Sequence, residues 1–252
     1  MRFRIICLVI IGLVLFAGCS DVNESAQSHL SRADELFSKG RIRQASNEIN
    51  AAIISDPSRS ITYQIAIGKY WEKKLYDEVI KVGEQFIKLA DSSKLKPKLT
   101  TEDRVSTCFI LAQAYEKLGR LSQAEVIYKK ILSITPDNPV SLNALGWFYA
   151  DNGIKLDQAL KLSKRAVALA PDEGEIVDSL GWAQFKLGHY DEAIKTLKKA
   201  VELEPDIAEL RYHLGTAYAK RSRKTEALIE LNKAHILNPN MSMVSKQLKT
   251  LQ

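Results

Sequence analysis

Cysteine is scarce in this 252-residue chain. Only Cys7, Cys19 and Cys108 occur, too few for a disulfide framework. Proline is scarce too, and five of the seven, Pro57, Pro136, Pro171, Pro205 and Pro239, close regularly spaced segments. The apolar run from Ile5 to Phe16 counts twelve residues, well short of the roughly 20 that span a bilayer. Catalytic motifs are missing as well: there is no Gly-rich phosphate loop, His-Glu-x-x-His, Gly-x-Ser-x-Gly or Cys-x-x-Cys. The four histidines, His29, His189, His213 and His235, share no ligand spacing, so they read as helix-surface or turn residues rather than metal ligands. No cofactor, metal or catalytic residue is expected. With 46% apolar and 26% charged residues the chain is not of the disordered class.

What is present is a pattern written several times. Leu111, Leu145, Leu180 and Leu214 fall in register, followed by Tyr115, Tyr149, Gln184 and Tyr218, then by Gly119, Gly153, Gly188 and Ser222. Ala124, Ala159, Ala193 and Ala227 come next, and Pro136, Pro171, Pro205 and Pro239 close each copy at intervals of 35, 34 and 34 residues. The one extra residue falls between Gly153 and Ala159, in a turn, where it leaves the helices in phase.

A period near 34 with small residues at fixed places and a closing proline resembles the tetratricopeptide repeat, a helix-turn-helix unit. The resemblance is carried by Leu180-Gly181-Trp182, by Gly188 through Ala193 and by Ala200 through Pro205. Physical reasons accompany each. Gly181 and Ala193 stand where helices cross, and a larger side chain would force them apart. Gly188 ends a first helix, and Pro205, which lacks an N–H and biases Glu204 away from helical angles, ends a second. The fold implied is all-α, a right-handed superhelix (α-solenoid) of about six repeats.

The first nineteen residues are of another kind. Arg2 and Arg4 precede the apolar run, and Phe16-Ala17-Gly18-Cys19 follows it. Charged start, short apolar middle and small residues read as a secretory signal over 1–18. The Ala-Gly-Cys ending resembles the lipobox of bacterial lipoproteins, with Phe16 where a leucine is usual. That resemblance implies cleavage before Cys19, acylation of Cys19 and a durable membrane anchor, whereas one chain alone attaches only marginally. By the same resemblance, Ser20 in place of an aspartate implies the outer membrane over the inner, on its periplasmic face, although Asp21 follows it. With the signal removed the formal charge falls from +6 to +4, and secretion disfavours nucleic acid as a partner.

Residues 19–25 read as a polar tether and 26–93 as two repeats, the second degenerate because Val79 replaces the alanine and Asp91 the closing proline. Residues 94–104 exceed the period and read as a linker, with Thr100 and Asp103 resembling a capping box. Repeats three to six occupy 105–241, and Met241, Val244, Leu248 and Leu251 give 242–252 the pattern of a capping helix. The dibasic pairs Lys129-Lys130, Lys164-Arg165 and Lys198-Lys199 recur on second helices and read as a solvated outer face.

In the family, the first helix of each unit lines a concave groove through the residues two before, two after and five after the leucine. Here those slots hold Phe37, Trp71, Phe109, Asn143, Trp147, Asp178, Trp182, Phe185 and Tyr212, with all three tryptophans of the chain among them. Trp147 and Trp182, flanked by Phe185, Asn143 and Asp178 and extended by Tyr212 and Phe109, form the expected partner site, suited to an extended peptide. A competing reading packs both indoles between neighbouring helices. The resemblance implies a non-enzymatic scaffold that binds protein partners and helps assemble an envelope machine for pili, secretion, polysaccharide export or the cell wall. A periplasmic chaperone or carrier of extended polypeptide or glycan is the alternative. The lysine and asparagine pairs with which some family members clamp a terminal carboxylate are absent from the matching slots.

Overall fold

The structure, a computed structural model, describes residues 23–92 and 100–251. The signal, Cys19 and most of the tether and linker lie outside the described residues. Among those described there are thirteen α-helices and no strand. They group into two compact units that divide between Ile134 and Thr135.

One unit holds α1 (Glu24–Ser38), α2 (Ile42–Ser55), α3 (Ser60–Glu72), α4 (Tyr76–Asp91), α5 (Thr101–Lys117) and α6 (Leu121–Ile134). Asn23 opens α1, its Oδ1 accepting from the Ser25 N–H at 2.8 Å. Thr100 and Asp103 open α5 with a reciprocal capping box, so that helix starts four residues inside the stretch read as linker. α4 and α5 pack together, and Asp91 pairs with both Arg104 and Lys130. Val79, in the alanine place of the degenerate repeat, is fully buried.

The other unit holds α7 (Pro139–Asp151), α8 (Leu156–Leu169), α9 (Gly174–Lys186), α10 (Tyr190–Leu203), α11 (Ala208–Lys220), α12 (Lys224–Leu237) and α13 (Ser242–Leu251). Asn138 caps α7 through the Ser141 N–H at 3.0 Å, and Pro139 occupies the first turn, where its missing N–H removes nothing. Each first helix then ends alike. The residue after the cap adopts positive φ, at Gly153, Gly188 and Ser222, and the next N–H bonds back five residues, as His189 does to the Gln184 carbonyl at 3.0 Å. Gly40, Lys74 and Gly119 hold the same place in the first unit, so two of the six turns place a residue with a Cβ in the left-handed region.

Crossing points explain the other small residues. A Cβ on Gly181 would stand 2.6 Å from Leu197 Cγ, and one on Gly215 2.8 Å from Leu231 Cγ. Ala193 and Ala227 are fully buried between helices. On α13, Val244 and Leu248 pack on Ala208, Leu231 and Ala234, each covering contributing roughly 1.5–3 kcal/mol. The dibasic pairs are more than a solvated face. Their second members reach back to the end of the preceding repeat: Lys130 to Asp91, the last residue of α4, Arg165 to Asp137 at 3.2 Å, and Lys199 to the Pro171 carbonyl at 3.1 Å.

Candidate functional site

Three successive first helices, α7, α9 and α11, set the candidate site. A 35-residue step places Trp147 and Trp182 in the same slot, and α9 packs against both neighbours, so side chains of this slot meet. The two indoles stack with centroids 6.5 Å apart and planes 21° off parallel. Trp182 stacks in turn on Phe185 at 4.8 Å and 7°, and on His213 at 4.4 Å and 28°. His213 also lies 5.5 Å from Trp147 and 5.6 Å from Tyr212, and Tyr190 meets Phe185 at 5.4 Å. The result is a continuous wall of rings across three repeats. Offset stacking adds about 0.5–1.5 kcal/mol per pair beyond the area buried.

Exposure differs sharply along the wall. Trp147, Phe185 and Tyr212 are half-buried, so they present surface to an incoming chain. Trp182 is 8% exposed, His213 5%, Asn143 3% and Asp178 1%. Asn143 and Asp178 therefore do not extend the face with solvent-facing polar groups, as the sequence spacing suggests. Asp178 is engaged from the following repeat by His213 Nδ1, at 2.8 and 3.0 Å to its two oxygens. Nor is His213 a surface histidine: it precedes Leu214 by one residue, in a position that faces back onto α9. Lys186 lies over Trp182, Nζ 5.3 Å from the ring centroid, and donates to the Asp151 carbonyl at 3.1 Å. The buried Asp178 carboxylate is thus engaged, and the Lys186 ammonium keeps its positive charge over the Trp182 ring.

The remaining slots belong to the other unit. Phe109, on α5, is buried there. Phe37 meets Tyr70 edge-on at 6.2 Å, and Trp71 meets Tyr76 at 5.4 Å. The slot rule finds Trp147, Trp182, Phe185 and Tyr212 together but misses His213. The signal was an acidic residue followed, one residue beyond the 34-residue period, by a ring that can reach back to it.

Among the described residues no three His, Cys, Asp or Glu side chains gather to hold a metal, and no helix is long and apolar enough to cross a membrane.

No curated protein matches this sequence. Tetratricopeptide repeat models match residues 105–138, 127–161 and 179–241. Among solved structures, a MamA structure (AMB-1) is 26% identical, with a TM-score of 0.51 over 69% of this chain and 95% of its own. YrrB, a tetratricopeptide repeat protein with an unusual peptide-binding site, is 19% identical, with a TM-score of 0.52 over 80% of this chain and 97% of its own. A thermophilic tetratricopeptide repeat protein of Thermus thermophilus is 21% identical, with a TM-score of 0.52 over 90% and 98%. The chain matches tetratricopeptide repeat models over 105–161 and 179–241, and its fold is the all-α tetratricopeptide-repeat fold.

Proposed function

We propose that this chain is a non-enzymatic scaffold, anchored through lipidated Cys19 at the periplasmic face of the outer membrane, that binds a peptide segment of a partner protein along α7, α9 and α11 and helps assemble an envelope machine. The aromatic wall carries the reading. Half-buried Trp147, Phe185 and Tyr212 offer rigid apolar surface at little entropic cost, and they rest on buried Trp182 and His213, which hold them in place. The fold suits such a ligand, since YrrB carries a peptide-binding site on it. The charged start, the Ile5 to Phe16 run and the Ala-Gly-Cys ending support the anchor.

Panning a random peptide library on the full chain tests the binding face. Enriched peptides that compete with one another and lose affinity for Trp147→Ala support it; no enrichment, or enrichment indifferent to Trp147, removes it. The anchor is tested separately by metabolic palmitate labelling, which Cys19→Ala should abolish. Equal labelling of variant and parent would end the lipoprotein reading.

A further inference from the structure

Asp178 and Asn143 occupy the same slot of adjacent repeats, yet only one has a partner. His213, the residue that satisfies Asp178, stands just before the leucine of the next repeat. The corresponding residue after Asn143 is Ser179, whose hydroxyl is too short to copy the contact and donates instead to the Glu175 carbonyl at 3.0 Å. Asn143 Oδ1 is left buried with no hydrogen-bond partner among the described residues. On the neighbouring helix the Trp182 Nε1–H is also buried and without a partner. An acceptor and a donor thus stand unsatisfied in one aromatic wall. Trp147 ties them together, one turn beyond Asn143 on α7 and stacked on Trp182. Folded proteins rarely keep such groups unpaired, because each loses its water without recovering a hydrogen bond.

We propose that Asn143 and Trp182 together read one peptide group of the bound segment, Asn143 Oδ1 accepting its N–H and Trp182 Nε1–H donating to a carbonyl beside it. This rests on the peptide-binding reading above. Trp147, half-buried and next to both, is the ring that shifts to admit the backbone. The ligand class follows from the chemistry: an extended stretch of peptide backbone, since the groups left to meet it are one amide oxygen and one indole N–H, while the buried Asp178 carboxylate is already engaged by His213.

The probes are peptides enriched on the wild-type chain, resynthesised with N-methylation at each backbone position in turn. Asn143→Ala should leave the melting temperature unchanged or raise it, because an unsatisfied acceptor is removed, while weakening binding about tenfold, the worth of one buried hydrogen bond. One N-methyl position should weaken binding to wild type and have no further effect on Asn143→Ala. A second variant, Asn143→Asp with Ser179→His, copies the Asp178–His213 pair into the preceding repeat; it should melt no lower than wild type and fail to bind. Enriched peptides that bind Asn143→Ala as tightly as wild type overturn this proposal and leave the binding face standing. A clear fall in the melting temperature of Asn143→Ala, or its failure to fold, overturns it by making Asn143 structural. A library with no enriched peptide removes the binding face itself.

Discussion

His213 reaches back 35 residues to close on Asp178, its Nδ1 within 3.0 Å of both carboxylate oxygens, and so links α11 to α9 through a buried polar contact. Removing one partner strands the other. His213→Ala leaves the Asp178 carboxylate, 1% exposed, without its hydrogen bond and takes away a ring that packs on both indoles. A loss of about 3–5 kcal/mol is expected, as for breaking a buried polar pair. Asp178→Asn keeps an acceptor for Nδ1 and should cost less. Urea denaturation of the two single variants and the double, analysed as a cycle, should show coupling above about 0.5 kcal/mol. Additive losses would mean that the contact is incidental.

Two glycines of one repeat should fail for different reasons. Gly181→Ala drives a methyl against Leu197 at a helix crossing and should cost about 1–3 kcal/mol through overpacking. Gly188→Ala meets open space, but the backbone there sits at φ +86, so its cost of about 1–2 kcal/mol is conformational. Trimming the facing residue separates the two: Leu197→Ala in the same chain should offset part of the Gly181→Ala loss and none of the Gly188→Ala loss. Ser222, which holds that turn position with a Cβ at φ 58, supplies the converse, and Ser222→Gly should raise the melting temperature.

Much of this was legible in advance because repeats are read by self-comparison. A residue such as Ala193 or Gly188 is fixed by its counterparts, and the structure puts Ala193 in the core and Gly188 in the left-handed turn. The site was legible only in part. Slot arithmetic brings Trp147 and Trp182 together, but it cannot say how deep a ring sinks, which depends on what the next repeat places behind it. For Trp182 that is His213, a residue outside the slots, and its stacking turns a forecast groove residue into a buried one.

Cys108 makes a pH forecast. Burial pushes its thiol up to about 11 from an ordinary value near 9, because a thiolate there would lose its water. The folded state holds the proton more tightly than the unfolded one. Its contribution to stability is thus complete below the unfolded value near 9 and is lost as pH rises through about 11. Native chain at pH 8 should resist a thiol-specific reagent and react fully in denaturant. Cys7 and Cys19 must first be replaced so that Cys108 alone reports. Rapid labelling of folded chain would show the site to be open.

The two indoles of the wall should part company when truncated. Trp182 is buried and stacks on Trp147, Phe185 and His213, so Trp182→Ala opens a cavity that no neighbour fills and should cost about 3–5 kcal/mol. Trp147 is half-buried, and its stacked indole neighbour is Trp182; Trp147→Ala should cost about 1–2 kcal/mol, from the area it covers and one lost stack. Binding should follow the opposite order in effect. Trp147 presents the exposed face, so its loss abolishes capture of an enriched peptide from a chain that remains folded by circular dichroism. Any deficit of Trp182→Ala should track the fraction unfolded and recover at lower temperature, as far as the loss of its N–H allows. Equal destabilisation by both changes would place Trp147 in the core with Trp182, and the face proposed for partner binding would lose its centre.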